Sequence, residues 1–166
     1  GVALDFQHFF AGYMAAANRL GCVPSTGTLS LIRVAALRDV GGFNTKVVTE
    51  DAELGLQLNF AGWRTVYAPE NVGEGLMPHD LADLKKQRWR WAFGNAQILK
   101  ANWRRIFLGG ELNWRQKLGC LAHLTAWFNF NLIPMASLLL LAGLAAAGAM
   151  QPGHVYLVPL AGFTLI

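Results

Sequence analysis

From Leu118 to Ile166 the sequence contains no Asp, Glu, Lys or Arg. Over all 166 residues only 14% are charged, where a soluble domain carries about 25%. That scarcity, beside 54% hydrophobic residues, excludes intrinsic disorder, which needs the opposite balance. Two cysteines are too few to staple a small domain. The chain opens at Gly1 with neither a basic n-region nor a short apolar h-region, so no signal peptide is legible. Its last apolar run, Val155 to Ile166, falls short of the ~20 residues a helical span needs. Both ends are read as cuts in a longer protein. No repeat and no low-complexity linker is present.

The charge that exists falls in blocks. Residues 1–84 hold five Lys/Arg against nine Asp/Glu, and residues 85–117 hold nine Lys/Arg against one acid, Glu111. The formal +4 therefore comes from one short basic belt. Basic stretches bind nucleic acid or anionic membrane surfaces. This belt runs straight into an uncharged apolar tail, which favours the membrane, and no nucleic-acid partner is expected. The positive-inside rule then puts residues 1–117 in the cytoplasm and makes the protein a multi-pass resident of the inner (plasma) membrane.

The first section, residues 1–79, reads as α/β. Phe6 to Leu20 is a helix candidate, and its aromatics Phe6, Phe9, Phe10 and Tyr13 suit core packing. Thr28 to Val34 and Arg64 to Ala68 suit buried strands. Val34 to Val40 and Ala52 to Ala61 are helices, stopped by Gly41-Gly42 and by Gly62. Residues 80–117 hold one long helix over 80–105, begun by Asp80 or Asp83, and its mixture of aromatics with Lys/Arg fits an interfacial amphipathic helix. Leu118 to Met150 reads as a transmembrane helix kinked at Pro134, with Gly143 and Gly148 allowing close packing. Gln151-Pro152-Gly153 is a turn, and a second span starts over residues 154–166. Cys22 and Cys120 read as free, buried small residues.

Two short segments can carry chemistry. Thr49-Glu50-Asp51 opens the Ala52 helix. A carboxylate there can act as a general base on a hydroxyl; equally, acids in a first helical turn complement the helix dipole, worth about 0.3–1 kcal/mol. In Gln87-Arg88-Trp89-Arg90-Trp91, the residues Gln87, Arg90 and Trp91 stand at i, i+3 and i+4 and share a helix face. Arg grips diphosphates in two-point fashion, Trp offers a flat surface to a sugar ring, and Gln bonds hydroxyls. Arg88 and Trp89 point elsewhere and read as interface anchors. Asn129, Asn131 and His123 line a polymer channel or make interhelical hydrogen bonds. His8, His79, His123 and His154 show no convergence of the kind zinc requires.

Thr-Glu-Asp, then Gln-x-x-Arg-Trp beginning 36 residues after the Asp, then an apolar tail, resembles the processive, membrane-embedded family 2 glycosyltransferases. These cellulose synthase-like enzymes make β-glucans, chitin or hyaluronan. Gly27 to Val34, Gly41-Gly42-Phe43 and Ala61-Gly62-Trp63 also look like the family, so the resemblance covers at least residues 25–150. It implies a partial GT-A (Rossmann-like) domain followed by the interfacial helix and α-helical transmembrane segments. It implies inverting transfer from a UDP-sugar, with UDP-glucose preferred, to a β-linked polysaccharide exported through the bilayer. Asp51 would be the catalytic base, with Glu50 and Thr49 shaping the site. Gln87, Arg90 and Trp91 would bind substrate. Mg²⁺ or Mn²⁺ is implied as cofactor, but the family's Asp-x-Asp motif lies upstream and none occurs in these residues. The rival readings are a non-processive relative that glycosylates a lipid and an inert scaffold or carbohydrate-binding subunit of the same fold. Accessory subunits are further possible partners.

Overall fold

The structure is a computed structural model and describes residues 6–70, 72–73, 75–76 and 78–149, without the side chains of 127–134. Two compact units divide the chain, Gly1–Thr125 and Ala126–Ile166.

The described part of the first unit is helical. A π-helical segment, His8–Met14, runs into α1 (Ala15–Leu20), followed by α2 (Val34–Asp39), α3 (Glu50–Phe60), α4 (Leu81–Leu108) and the start of α5 (Trp114–Ala146). The one helix expected over Phe6–Leu20 is thus two segments, the first with the wider i→i+5 bonding of a π-helix. Phe9 stacks on Tyr13 within it, centroids 5.4 Å apart. α1 closes at Gly21, whose φ of 69° is the left-handed reversal that glycine makes without a Cβ penalty.

Neither expected strand forms among the described residues. A strand exists only through a ladder with a neighbour, and backbone donors here go to side chains instead. Val23 N donates to Thr65 Oγ1 at 3.0 Å, and Tyr67 N donates to Asn18 Oδ1 at 3.1 Å. The segment near Arg64–Ala68 is therefore pinned to the chain around α1, side chain by side chain.

α3 is the centre of the unit. Its apolar residues serve two clusters, as expected for a helix enclosed on most sides. Ala52, Leu56 and Phe60, at i, i+4 and i+8, pack with Ile98, Ile106, Leu112 and Leu124. Leu54 and Leu58 pack with Ala36 of α2. Ile98 and Ile106 are wholly buried, each worth about 1.5–3 kcal/mol. Gly55 lets α3 approach the backbone of the Pro24–Ser25 segment, because a Cβ there would stand 2.6 Å from Ser25 N.

α4 is capped as the sequence predicts, with Asp80 accepting from Asp83 N at 2.8 Å. Its buried residues, Gly94, Asn95, Ile98, Asn102 and Ile106, recur about every four positions and form one seam. α5 starts at a reciprocal capping box that the Asn-x-x-Gln spacing encodes. Asn113 Oδ1 accepts from Gln116 N, and Gln116 Oε1 accepts from Asn113 N, each at 3.0 Å.

α5 therefore starts one turn before the span expected from Leu118. Among the described residues no helix is long and apolar enough to cross a membrane. In the second unit α5 continues to Ala146, with Met135, Leu138, Leu139 and Leu140 exposed and Ser137 buried. The side chains of Asn129, Asn131 and Pro134, and the turn and second span expected from Gln151 onward, lie outside the described residues. The thiols of Cys22 and Cys120 are buried and free, as expected, with their sulfurs 2.6 Å apart.

Candidate active site

Thr49 precedes α3, and Glu50 and Asp51 begin it. Their surroundings come from two distant parts of the chain. On one side is the Thr26–Gly27 loop: a Cβ on Gly27 would stand 2.8 Å from Asp51 Oδ2. On the other side is α4. Gly94 meets the Thr49 side chain, and Gln97 Oε1 accepts a hydrogen bond from Val48 N at 3.2 Å. The Thr49-Glu50-Asp51 segment thus meets α4, the helix that also carries Gln87, Arg90 and Trp91.

The electrostatics of Asp51 follow from this placement. Loss of solvent raises its carboxyl above the ordinary carboxylate range, and the neighbouring Glu50 charge pushes the same way. The backbone N–H groups of Ala52 and Asp51 and the Arg90 guanidinium pull it back. Asp51 is therefore both a helix-start carboxylate and a half-buried one that feels the Arg90 charge from α4. A carboxylate whose affinity for a proton has risen is better suited to accept one from a hydroxyl. Glu50 is exposed, whereas Thr49 is buried and its Oγ1 has no hydrogen-bond partner among the described residues.

Of the predicted binding residues, Gln87 carries a buried Oε1 without a partner among the described residues, an acceptor with capacity to spare. Arg90 is exposed. Trp91 is half-buried and meets the Phe6 ring edge-on at 6.2 Å. Arg88 does not point elsewhere: its guanidinium lies 5.3 Å from the Trp91 ring centroid and 5.7 Å from that of Phe6. The i, i+3 spacing to Trp91 accounts for the contact, since residues three apart share a helix face. Trp89 does turn away, exposed and stacked on Phe93 at 5.0 Å. Phe6, Gly94 and Gln97 join the site without having been singled out by motif, and Gly27 had been noted only as the start of a family-like stretch. Their roles depend on contacts between residues far apart in the chain.

His123 packs away from this site, its ring stacked on Tyr13 at 5.7 Å and its carbonyl accepting from Asn95 Nδ2 at 3.1 Å. A cavity of about 190 Å³ opens beside Gly41, Gly42, Asn44, Glu53 and Gln57, and Asp51 does not line it. Among the described residues no three His, Cys, Asp or Glu side chains converge as metal ligands. These residues do not fit the implied Mg²⁺ or Mn²⁺.

A family model described as Glycosyl transferase family group 2 matches residues 2–151. The chain belongs to that family. Family 2 membership implies the GT-A fold and a sugar-transferring lineage. Among similar proteins, the UDP-forming cellulose synthase 1 catalytic subunit of Komagataeibacter xylinus is 33% identical over 139 residues, 80% of this chain and 18% of that protein. Putative cellulose synthase 2 of the same organism is 34% identical over 130 residues, 75% of this chain and 8% of its own. A UDP-forming cellulose synthase of Dictyostelium discoideum is 32% identical over 113 residues, 68% and 10% respectively. The chain therefore spans less than a fifth of the length of these relatives.

Proposed function

We propose that the full-length protein is an inverting hexosyltransferase that moves a sugar from a UDP-sugar to a growing β-linked polysaccharide, with Asp51 as general base. The reading is supported by the placement of a half-buried Asp51 beside α4, which carries Arg90 and grips Val48 and Thr49. The acceptor hydroxyl gives its proton to the Asp51 carboxylate as its oxygen bonds the anomeric carbon. The bond from that carbon to the diphosphate oxygen breaks, and its electron pair leaves with UDP. One base on the face opposite the leaving group gives inversion without a covalent enzyme intermediate. Arg90 stabilises the departing negative charge. Gln87 Oε1 accepts from a sugar hydroxyl, and Trp91 presents apolar surface to the terminal ring. Thr49 and Glu50 hold the shape of the base's surroundings.

Glucose is the preferred donor sugar, a reading supported by the names of the cellulose synthases that the chain resembles. We assign residues 1–79 to the carboxy-terminal part of a GT-A domain and residues 80–117 to an interfacial helix with its basic belt. Residues 118–150 and 154–166 are assigned to membrane helices of an inner-membrane protein, with residues 1–117 cytoplasmic. The absence of any charged residue after Lys117 supports this. Export of the polymer follows from the same reading.

The test is UDP release by the full-length protein in membrane vesicles over a panel of UDP-sugars, beside Asp51→Asn. Release with one sugar, reduced about 10²–10⁴-fold in the variant, is the expected result for loss of a general base. Equal release by both proteins sinks the assignment of Asp51. No release with any sugar favours an inert carbohydrate-binding or scaffolding subunit.

A further inference from the structure

We propose that Gly94 is a positioning residue: the missing side chain at the middle of α4 sets how closely this helix, which carries Arg90, approaches Thr49 and the helix start that carries Asp51. The inference rests on the reading of Asp51 as base. Gly94 is buried, and a Cβ built there would fall on Thr49 Oγ1, 2.5 Å from Thr49 Cγ2 and 2.8 Å from Thr49 Cβ. Comfortable contacts between such atoms lie near 3.5–4.0 Å, so an added methyl must part α4 from the start of α3 by roughly 1 Å. Thr49 is buried too and has little room to give way. One turn further along α4, Gln97 Oε1 holds Val48 N at 3.2 Å, so Val48–Thr49 is gripped at two points.

The grip lies close in the chain to both proposed site groups. Asp51 is two residues beyond Thr49 in chain order, and Arg90 stands four residues before Gly94, one helical turn away. A helix transmits a push at Gly94 to Arg90 as a nearly rigid displacement. Misplacement by about 1 Å at a reacting centre can cost on the order of 10²-fold in rate. Glycine in a helix interior otherwise weakens the helix relative to alanine. An alanine at 94 would therefore favour α4 taken alone, which separates a positioning role from helix formation.

The experiment compares wild type, Gly94→Ala, Thr49→Gly, the double variant and Asp51→Asn. All are full-length proteins in vesicles, assayed with the UDP-sugar that supports release. Gly94→Ala should lower kcat about 10²-fold while donor KM stays within about 3-fold. The acid limb of its pH–rate profile should move. Parting α4 from α3 changes both the burial that raises the Asp51 carboxyl and the Arg90 charge that lowers it. Loss of folded protein would scale the whole profile without moving it. Thr49→Gly removes each Thr49 atom that the new methyl meets, so Gly94→Ala should cost at least about tenfold less in the Thr49→Gly background than in wild type.

A Gly94→Ala enzyme with unchanged kcat overturns the inference. So does a loss that leaves the acid limb in place and is as large in the Thr49→Gly background. If Asp51→Asn is inactive while Gly94→Ala is normal, only this inference falls. If Asp51→Asn turns over normally, the base assignment falls and this inference with it.

Discussion

Gly27 lies against Asp51 closely enough that a β-carbon on Gly27 would stand 2.8 Å from Asp51 Oδ2. Gly27 also has a φ of 73°, in the left-handed region. Gly27→Ala is therefore strained in two ways. The backbone conformation costs about 1–2 kcal/mol, and the methyl displaces the carboxylate. We expect a lowered melting temperature together with at least about a tenfold loss of UDP release, more than the stability change alone explains. Thermal melts beside steady-state assays separate the two effects.

Asp51 should trade stability against activity. Burial raises its carboxyl above the unfolded value, so the folded state binds the proton more tightly. Stability is therefore highest when the group is protonated. It falls as pH rises from the unfolded carboxyl range, about 3.9, through the folded value. Asp51→Asn removes this loss, so its melting temperature should exceed wild type at neutral pH, and the gap should narrow as the medium is acidified. A variant less stable than wild type at pH 7 would contradict the desolvation of Asp51.

Arg105 joins three elements. Its Nε donates to Glu111 Oε1 at 2.8 Å, its guanidinium donates to Gln57 Oε1 at 3.2 Å, and it lies 4.1 Å from the Phe60 ring centroid. Glu111 is exposed, and the Arg105 hydrogen bond holds its carboxyl below the usual range. The small stabilisation from Glu111 is present above the unfolded carboxyl pKa and lost as pH falls through the folded one. Arg105→Ala should cost about 1 kcal/mol through Phe60 and Gln57. Glu111→Gln should have a smaller effect that disappears in high salt. Melts at low and high ionic strength test both.

Ile98 sits in the main cluster with no exposed surface. Ile98→Ala should cost about 2–5 kcal/mol, lowering expression and melting temperature without moving the pH–rate profile of the molecules that remain folded.

The helices were legible because their signals are local. Asp80 caps α4, Gly41-Gly42 follows α2, Gly62 follows α3, and the apolar residues of α3 repeat at helical spacing. The Asn113–Gln116 box is equally local but was not singled out, and so α5 begins a turn earlier than expected. The strands over Thr28–Val34 and Arg64–Ala68 were not, because strand formation depends on a partner elsewhere in the chain. The wide turns of His8–Met14 carry no distinct hydrophobic period. For the candidate site, Thr49, Glu50, Asp51, Gln87, Arg90 and Trp91 were proposed by motif. The contacts of Gly27 with Asp51, of Gly94 with Thr49 and of Arg88 with Trp91 and Phe6 became visible only once the chain was folded.

The two thiols, Cys22 and Cys120, are each 4% exposed and face one another in the core. To a bulky maleimide or spin-label reagent this chain is nearly blank. A single cysteine introduced at an exposed α4 position such as Ala82 would be labelled selectively, with both native residues left in place. The segment carrying Arg90 and Trp91 can then be followed spectroscopically during turnover.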